Sequence, residues 1–166
     1  MSTTKAAATV ADETLVAFVY NEARLVDEKR FNEWYELFAE DGRYWIPLTR
    51  NQPEGRLHTS LMYEDKLLLR VRIDRLGSPN AFSQIPPSWC QHVLQRPEVE
   101  QRDAANGFYV LRTPFIYAES QGDRQDIWAG VAWHRLSWLN GGLLIREKKV
   151  ELLNCDGALP SLQLFP

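Results

Sequence analysis

The 166-residue sequence predicts an α+β domain, with N-terminal helices packed in a strongly curved antiparallel sheet. Between Asp12 and Asp27, apolar side chains recur at three-, four- and seven-residue separations, which is the period of an amphipathic helix. Strand candidates separated by turn signals follow Pro86-Pro87. Because helices come first and an antiparallel meander follows, we expect the sheet to wrap over a helix as a cone with one open mouth.

A second helix, a strand and an ambiguous segment lie between the first helix and Pro86. The helix is predicted from about Glu28 to Phe38, where Asp41-Gly42 ends it and turns the chain. A strand is expected from Arg43 to Leu48. The segment Tyr63 to Leu76 alternates apolar and charged residues as a strand does, yet its early acidic residues and good helix formers also favour a helix. Periodicity alone leaves both structures open.

Four strands are predicted in the second half of the chain. They run from Ser88 to Gln101, Phe108 to Glu119, Gln125 to Leu139 and Leu143 to Asn154. Turns are expected at Ala105-Asn106-Gly107 and Gln121-Gly122-Asp123, and Asn140-Gly141-Gly142 is a strong hairpin signal. Since Pro97 has no amide hydrogen to donate, the first of these strands should be broken, bulged or at an edge there.

Length and composition favour one domain, with residues 1–11 as a flexible leader and residues 12–166 as the folded part. A net charge of −3 argues against nucleic-acid binding, which needs a basic surface. The start of the chain lacks the apolar run of a secretory signal or membrane helix, so a cytoplasmic location is expected. In that compartment Cys90 and Cys155 should be reduced thiols.

Particular residues, in a particular order, resemble a known family. They are Glu22-Ala23-Arg24-Leu25-Val26-Asp27, Phe31, Glu33-Trp34, Leu37-Phe38, Asp41, Tyr44, Pro47, Tyr63-Glu64-Asp65, Arg70-Val71-Arg72, Arg75-Leu76, Pro86-Pro87-Ser88, His92-Val93, Ile145, Lys148, Val150 and Leu152-Leu153. Over about Thr14 to Asn154 the chain resembles the β subunits of aromatic-ring-hydroxylating dioxygenases.

The resemblance implies the nuclear transport factor 2-like (cystatin-like) fold, and a helix over Tyr63 to Leu76. It also implies a non-catalytic structural subunit for aromatic compound catabolism. Its partner would be a catalytic large (α) subunit, in a hexamer of three large and three small (β) subunits. A Rieske 2Fe-2S cluster and a mononuclear Fe(II) are expected on that large subunit, with electrons from an NAD(P)H-fed reductase.

The chain itself lacks the ligands for either iron centre. A Rieske site needs two separate Cys and His pairs, and only Cys90-Gln91-His92 matches one half. The three histidines, His58, His92 and His134, are far apart in sequence and form no short-range metal pair. We therefore predict no metal, no cofactor and no catalytic residue on this chain.

A stand-alone isomerase, dehydratase or small-ligand-binding protein of the same fold is the alternative. In isomerases of this fold, a carboxylate just before the proline of the first strand is the general base, and here Ile46 takes that position. A pocket could still be assembled from Asp27, Tyr44, His92 and His134. The alternative is weakened and stays open.

Surface arginines and tryptophans are the candidates for a subunit interface. Arg70, Arg72 and Arg75 should make surface or inter-subunit ion pairs, and Trp89, Trp128 and Trp138 could bury aromatic area against a partner. Strand alternation puts Trp128 and Trp138 on one face and Trp133 on the other, so one face should be core and the other covered. Glu147-Lys148-Lys149 is interpreted as a solvated strand segment.

Overall fold

The computed structural model describes residues 9–166, so most of the predicted leader lies outside the described residues. The elements are α1 (Asp12–Asp27), α2 (Phe31–Glu36), β1 (Phe38–Pro47), β2 (Ser60–Asp65), α3 (Lys66–Leu76), a 3₁₀ turn (Phe82–Gln84), β3 (Ser88–Leu94), β4 (Glu98–Asp103), β5 (Phe108–Gln121), β6 (Arg124–Leu139) and β7 (Gly142–Leu152). The predicted first helix is confirmed over its full length. The assignment of residues 12–166 to one domain stays a prediction.

Seven strands form one sheet in the order β2-β1-β7-β6-β5-β3, and β4 pairs with the first half of β5. The predicted α+β class and curved sheet are confirmed. All pairs are antiparallel except β1 with β7, which is parallel. A parallel pair needs a long connection between its strands, and here most of the domain provides it.

The hairpin between β6 and β7 forms where the sequence predicts it. Asn140 and Gly141 have φ angles of 52° and 84°, the left-handed conformation that a two-residue hairpin turn requires. The predicted break near Pro97 is confirmed as well. The chain leaves the sheet between β3 and β4, and the amide of Gln95 donates to the Pro114 carbonyl oxygen at 3.0 Å.

The predicted turn at Asp41-Gly42 is wrong. The second helix ends at Glu36, and both residues lie inside β1, at an irregularity of its ladder with β7. Glycine is needed there because a Cβ on Gly42 would lie 2.8 Å from the carbonyl oxygens of Ala39 and Ile145. The glycine thus permits close approach of two backbones instead of ending an element.

The ambiguous segment is a strand followed by a helix. Residues up to Asp65 belong to β2, and α3 begins at Lys66. The helix implied by the resemblance is therefore confirmed from Lys66 onward and wrong for Tyr63 to Asp65. Asp65 marks the boundary because its carboxylate accepts a hydrogen bond from the Leu68 amide at 2.9 Å, as an N-cap does.

The last described segment, residues 159–166, places its final three residues in the core beside α2. Phe165 is fully buried, and its ring lies 4.5 Å from that of Trp34 and 5.7 Å from that of Tyr44. The Tyr44 hydroxyl donates to the backbone oxygen of Pro166 at 2.5 Å. We call residues 159–166 the tail. The tail completes the core where the sequence predicts an open mouth.

Replacing Phe165 with alanine should lower the free energy of unfolding by about 3 to 5 kcal/mol, because a buried aromatic side chain would leave a cavity. Phe82 is the matched control, since it is 80% exposed and Phe82→Ala should change stability by about 0.5 kcal/mol or less. Urea unfolding of the two variants measures the difference. Equal effects would contradict the role of Phe165 in the core.

Candidate functional site

A charged cluster lies inside the cone, between α1 and the sheet. Glu22 is on α1, and the Lys148 ammonium contacts its two carboxylate oxygens at 3.0 and 3.2 Å. The Trp34 indole donates to Glu22 Oε1 at 2.5 Å, and His134 Nε2 lies 3.3 Å from Oε2. All four side chains are buried. The cluster joins α1 and α2 to β6 and β7.

Lys148 corrects the prediction of a solvated segment, since its side chain is 2% exposed. An extra residue in β7, at Arg146, shifts the register with β6. Inward positions on β7 are Leu143 and Ile145 before this bulge, and Lys148 and Val150 after it. The bulge therefore reverses the alternation and turns Lys148 into the cone.

Burial and pairing act in opposite directions on the protonation of this cluster. Burial disfavours ionised Glu22, but the Lys148 ammonium, with His134 and Trp34, outweighs it and holds the pKa of Glu22 well below its usual range. Burial lowers the pKa of His134, although Glu22 opposes the change. At neutral pH the cluster thus consists of a Glu–Lys ion pair with a neutral imidazole.

Asp27 forms a second polar centre at the end of α1. Its carboxylate lies 2.6 Å from His92 Nδ1, and it accepts bonds from the His92 amide at 3.1 Å and the Gln91 side chain at 2.9 Å. Cys90 also faces Asp27, 3.6 Å from Oδ1. These bonds fasten α1 to β3, so the Asp27 carboxylate is committed to structural contacts.

The thiol and imidazole of Cys90 and His92 share one strand face, as predicted, and both lie beside Asp27. Burial, followed by the charge of Asp27, raises the pKa of Cys90 to about 12, which disfavours the thiolate that a metal requires. Within residues 9–166, no group of three or more His, Cys, Asp or Glu side chains could hold a metal ion. His58 is on an outer loop beside Glu54.

The alternative pocket residues divide into two groups: Asp27 contacts His92, whereas Tyr44 and His134 lie beside the Glu22–Lys148 pair. Asp27 and His92 border a surface depression of about 360 Å³. His134 is bound in the Glu22 cluster, and Tyr44 contacts the tail. Ile46, at the position of the general base, is fully buried. The His92 Nε2 atom is buried and has no hydrogen-bond partner among the described residues.

The predicted interface residues have different environments. Trp89 is 59% exposed, with the Lys29 ammonium 3.8 Å above its ring, and Trp138 is 43% exposed near the end of β6. Trp128 is 2% exposed and packs against Tyr117 inside the cone, so it is a core residue and its assignment to an interface is wrong. Trp133 is on the opposite face of β6, near Arg112.

Two of the three arginines of α3 have side-chain partners within the chain, and the third is exposed. Arg70 bonds the Asn32 side chain at 2.8 Å and stacks over Tyr35, with Asp74 at 3.7 Å. Arg72 pairs with Glu64. Arg75 is exposed and borders a groove beside α3.

An apolar patch on the outside of the sheet was missed by the sequence analysis. Val93, Ile116 and Ile127 are 62%, 50% and 64% exposed. Val93 pairs with Ile116 across β3 and β5, and Ile127 pairs with Ala118 across β5 and β6. Together with Ala129, opposite Ile116, these residues form the outer patch. Isoleucine at outward positions of adjacent strands is the sequence signal that could have identified it.

The comparisons with known proteins agree with this arrangement. A curved sheet around a helix is also seen in an NTF2-like protein with a cystatin-like fold from Novosphingobium aromaticivorans. Its TM-score is 0.61 with 13% identity, over 86% of this chain and 81% of that one. The chain belongs to the ring hydroxylating β subunit family, whose match covers residues 21–156. The predicted fold and family are thereby confirmed.

Two β subunits illustrate the similarity. The chain is 32% identical over 122 residues to the benzene 1,2-dioxygenase subunit β of Pseudomonas putida, a match that covers 68% of this chain and 65% of that relative. The solved β subunit of the benzoate 1,2-dioxygenase from Burkholderia mallei has a TM-score of 0.73 and 21% identity, over 88% of this chain and 93% of that one.

Among the described residues, no helix has the length and apolar character needed to cross a membrane.

Substituting Lys148 with methionine should lower the free energy of unfolding by about 3 to 5 kcal/mol, because Glu22 would keep a buried charge without its cation. The adjacent Lys149 faces outward and pairs with Glu151 at 3.4 Å, so Lys149→Met is the control and should cost about 1 kcal/mol or less. Denaturant unfolding at pH 7 compares them. A similar loss in both variants would contradict the buried pair.

Acid should destabilise the protein through this cluster. In the unfolded chain Glu22 is protonated near pH 4.5, whereas in the folded protein its lowered pKa keeps it ionised. The contribution of Glu22 to the free energy of unfolding is therefore complete above that pH and is lost as the pH falls below it. Because burial lowers the pKa of His134, the unfolded chain also takes up a proton on His134 below the ordinary pKa of 6.5, which lowers the free energy of unfolding further. The free energy of unfolding, measured from pH 7 to pH 3, should decline less below pH 5 for Glu22→Gln than for the unchanged protein. Parallel curves would refute this account.

Proposed function

We propose that this chain is the non-catalytic, structural small subunit of a Rieske non-haem iron aromatic-ring-hydroxylating dioxygenase. The observation that carries the proposal is the outer patch on a member of the β subunit family. Val93, Ile116 and Ile127 expose branched aliphatic side chains on three adjacent strands. Burying such a surface against another subunit is favourable by about 25 cal/mol per Å² of apolar area. Contiguous exposed patches of this kind are typical of interaction sites.

The filled cone supports the same role. The tail holds Phe165 against Trp34 and Tyr44 inside the cone, so this part of the interior is occupied by side chains of the chain itself. Lys148 and His134 inside the cone both contact the Glu22 carboxylate. Buried charges paired in this way fix the packing of α1 on the sheet. The chain therefore supplies a rigid body for assembly.

The chemistry is assigned to the partner. A catalytic large subunit would carry the Rieske 2Fe-2S cluster and the mononuclear Fe(II), which together activate O₂ for insertion into an aromatic ring. Three small and three large subunits would form the complex. The two free thiols, Cys90 and Cys155, are compatible with the cytoplasm, where we place this complex. The aromatic substrate would be selected by the large subunit.

A stand-alone dehydratase is the second candidate, and one observation favours it. Asp27 orients His92 through a 2.6 Å contact, and the opposite ring nitrogen, Nε2, has no partner among residues 9–166. This is the arrangement of a carboxylate that positions a general base. Access is the obstacle, because the His92 side chain is 4% exposed. Turnover of a small hydroxylated substrate by the isolated chain, abolished in His92→Gln, would favour this candidate.

Co-expression with the large oxygenase subunit tests the structural role. The two chains should co-purify, with iron and visible cluster absorption in the complex and neither in the small chain alone. Ile127→Asp should reduce assembly at least about tenfold, because it places a charge in the outer patch. Leu57→Asp is the control, since Leu57 is 83% exposed in the loop before β2. Stoichiometric iron in the isolated chain would refute the proposal.

A further inference from the structure

A groove of about 600 Å³ runs along α3. Leu68 and Val71 of α3 form one side, Phe82 of the 3₁₀ turn forms another, and Leu162 of the tail contributes to the wall. Leu68, Val71 and Phe82 are all exposed. A protein of net charge −3 thus presents three apolar side chains around one concave surface, whose charged lining residues are Glu64, Arg72 and Arg75.

Two arginines make the charge of this groove positive. Arg72 pairs with Glu64, the acidic side chain that borders the groove, and its Nε atom is buried without an acceptor. Arg75 makes no salt bridge to any carboxylate within residues 9–166, whereas its neighbour Arg70 contacts Asp74. One guanidinium thus remains available for a carboxylate, which it can bind through two parallel hydrogen bonds.

The tail wall of the groove is held by one buried carboxylate. Glu119 accepts hydrogen bonds from the amides of Gln163 and Leu164 at 2.8 and 3.1 Å, and from the Tyr117 hydroxyl at 2.6 Å. These bonds connect the groove to β5, which lies between β6 and the edge strand β3. The groove is consequently a preformed surface, which lowers the entropic cost of binding.

We infer that this groove binds a segment of the large subunit that carries apolar side chains and an acidic residue, with its carboxylate on Arg75. The inference rests on the proposed function and names a contact surface separate from the outer patch. Charge complementarity supports this inference. The unpaired guanidinium of Arg75 would be matched by a carboxylate on the bound segment, whereas a purely apolar segment would leave it unpaired. Phe82, at 80% exposed, is the apolar anchor that such a segment would cover.

The test measures binding of the purified small chain to the purified large subunit at moderate ionic strength. Arg75→Glu and Phe82→Ala should each weaken the affinity at least about tenfold, with unchanged unfolding of the small chain alone. Arg56→Glu is the matched control, since Arg56 is an exposed arginine on the loop before β2 and should leave affinity within about twofold. An acidic-to-lysine substitution in the bound segment should restore binding of Arg75→Glu.

The outcomes separate this inference from the proposed function. If the unchanged chain does not bind the large subunit, the proposed function is wrong. If it binds, and Ile127→Asp weakens binding while Arg75→Glu and Phe82→Ala do not, only the groove assignment is overturned. Weaker self-association of the small chain in Arg75→Glu, with unchanged binding of the large subunit, would also overturn it, because the groove would then contact a second copy.

Discussion

The fold depends on a buried ion pair between Glu22 of α1 and Lys148 of β7. Two charges removed from water are tolerated only when they are paired and hydrogen-bonded, and here Trp34 and His134 add contacts to the Glu22 carboxylate. The four groups come from two helices and two strands. A displaced helix or a shifted strand register would leave a charge unpaired in an apolar interior. The pair thereby selects one arrangement of helices within the sheet.

The same constraint bears on function. The interior holds the Glu22–Lys148 pair and the ring of Phe165, and Ile46, whose alkyl side chain cannot accept a proton, is buried as well. The outer patch exposes apolar side chains on the other face of the same sheet, and further exposed apolar side chains lie along α3. The buried charges and the outer patch are thus on opposite faces of one sheet.

Local patterns determined much of the fold, and long-range contacts determined the rest. The period of α1, the Asn140-Gly141 turn and the missing amide of Pro97 are properties of neighbouring residues, so the sequence alone indicated them. The inward position of Lys148 depends on the bulge at Arg146, which alternation cannot reveal. Alternation separates Trp128 from Trp133 but does not say which face is core. The partners of Glu22 likewise lie far away in sequence.

The parallel pairing of β1 with β7 determines when the protein can finish folding. The paired residues Phe38 and Ile145 are roughly a hundred residues apart, and such distant contacts form slowly. During synthesis, the backbone groups on the β1 edge that pairs with β7 have no partner strand until β7 has left the ribosome. Premature contacts of that edge with other nascent chains are the corresponding hazard. Release of the chain before β7 is complete would therefore leave that edge of β1 open.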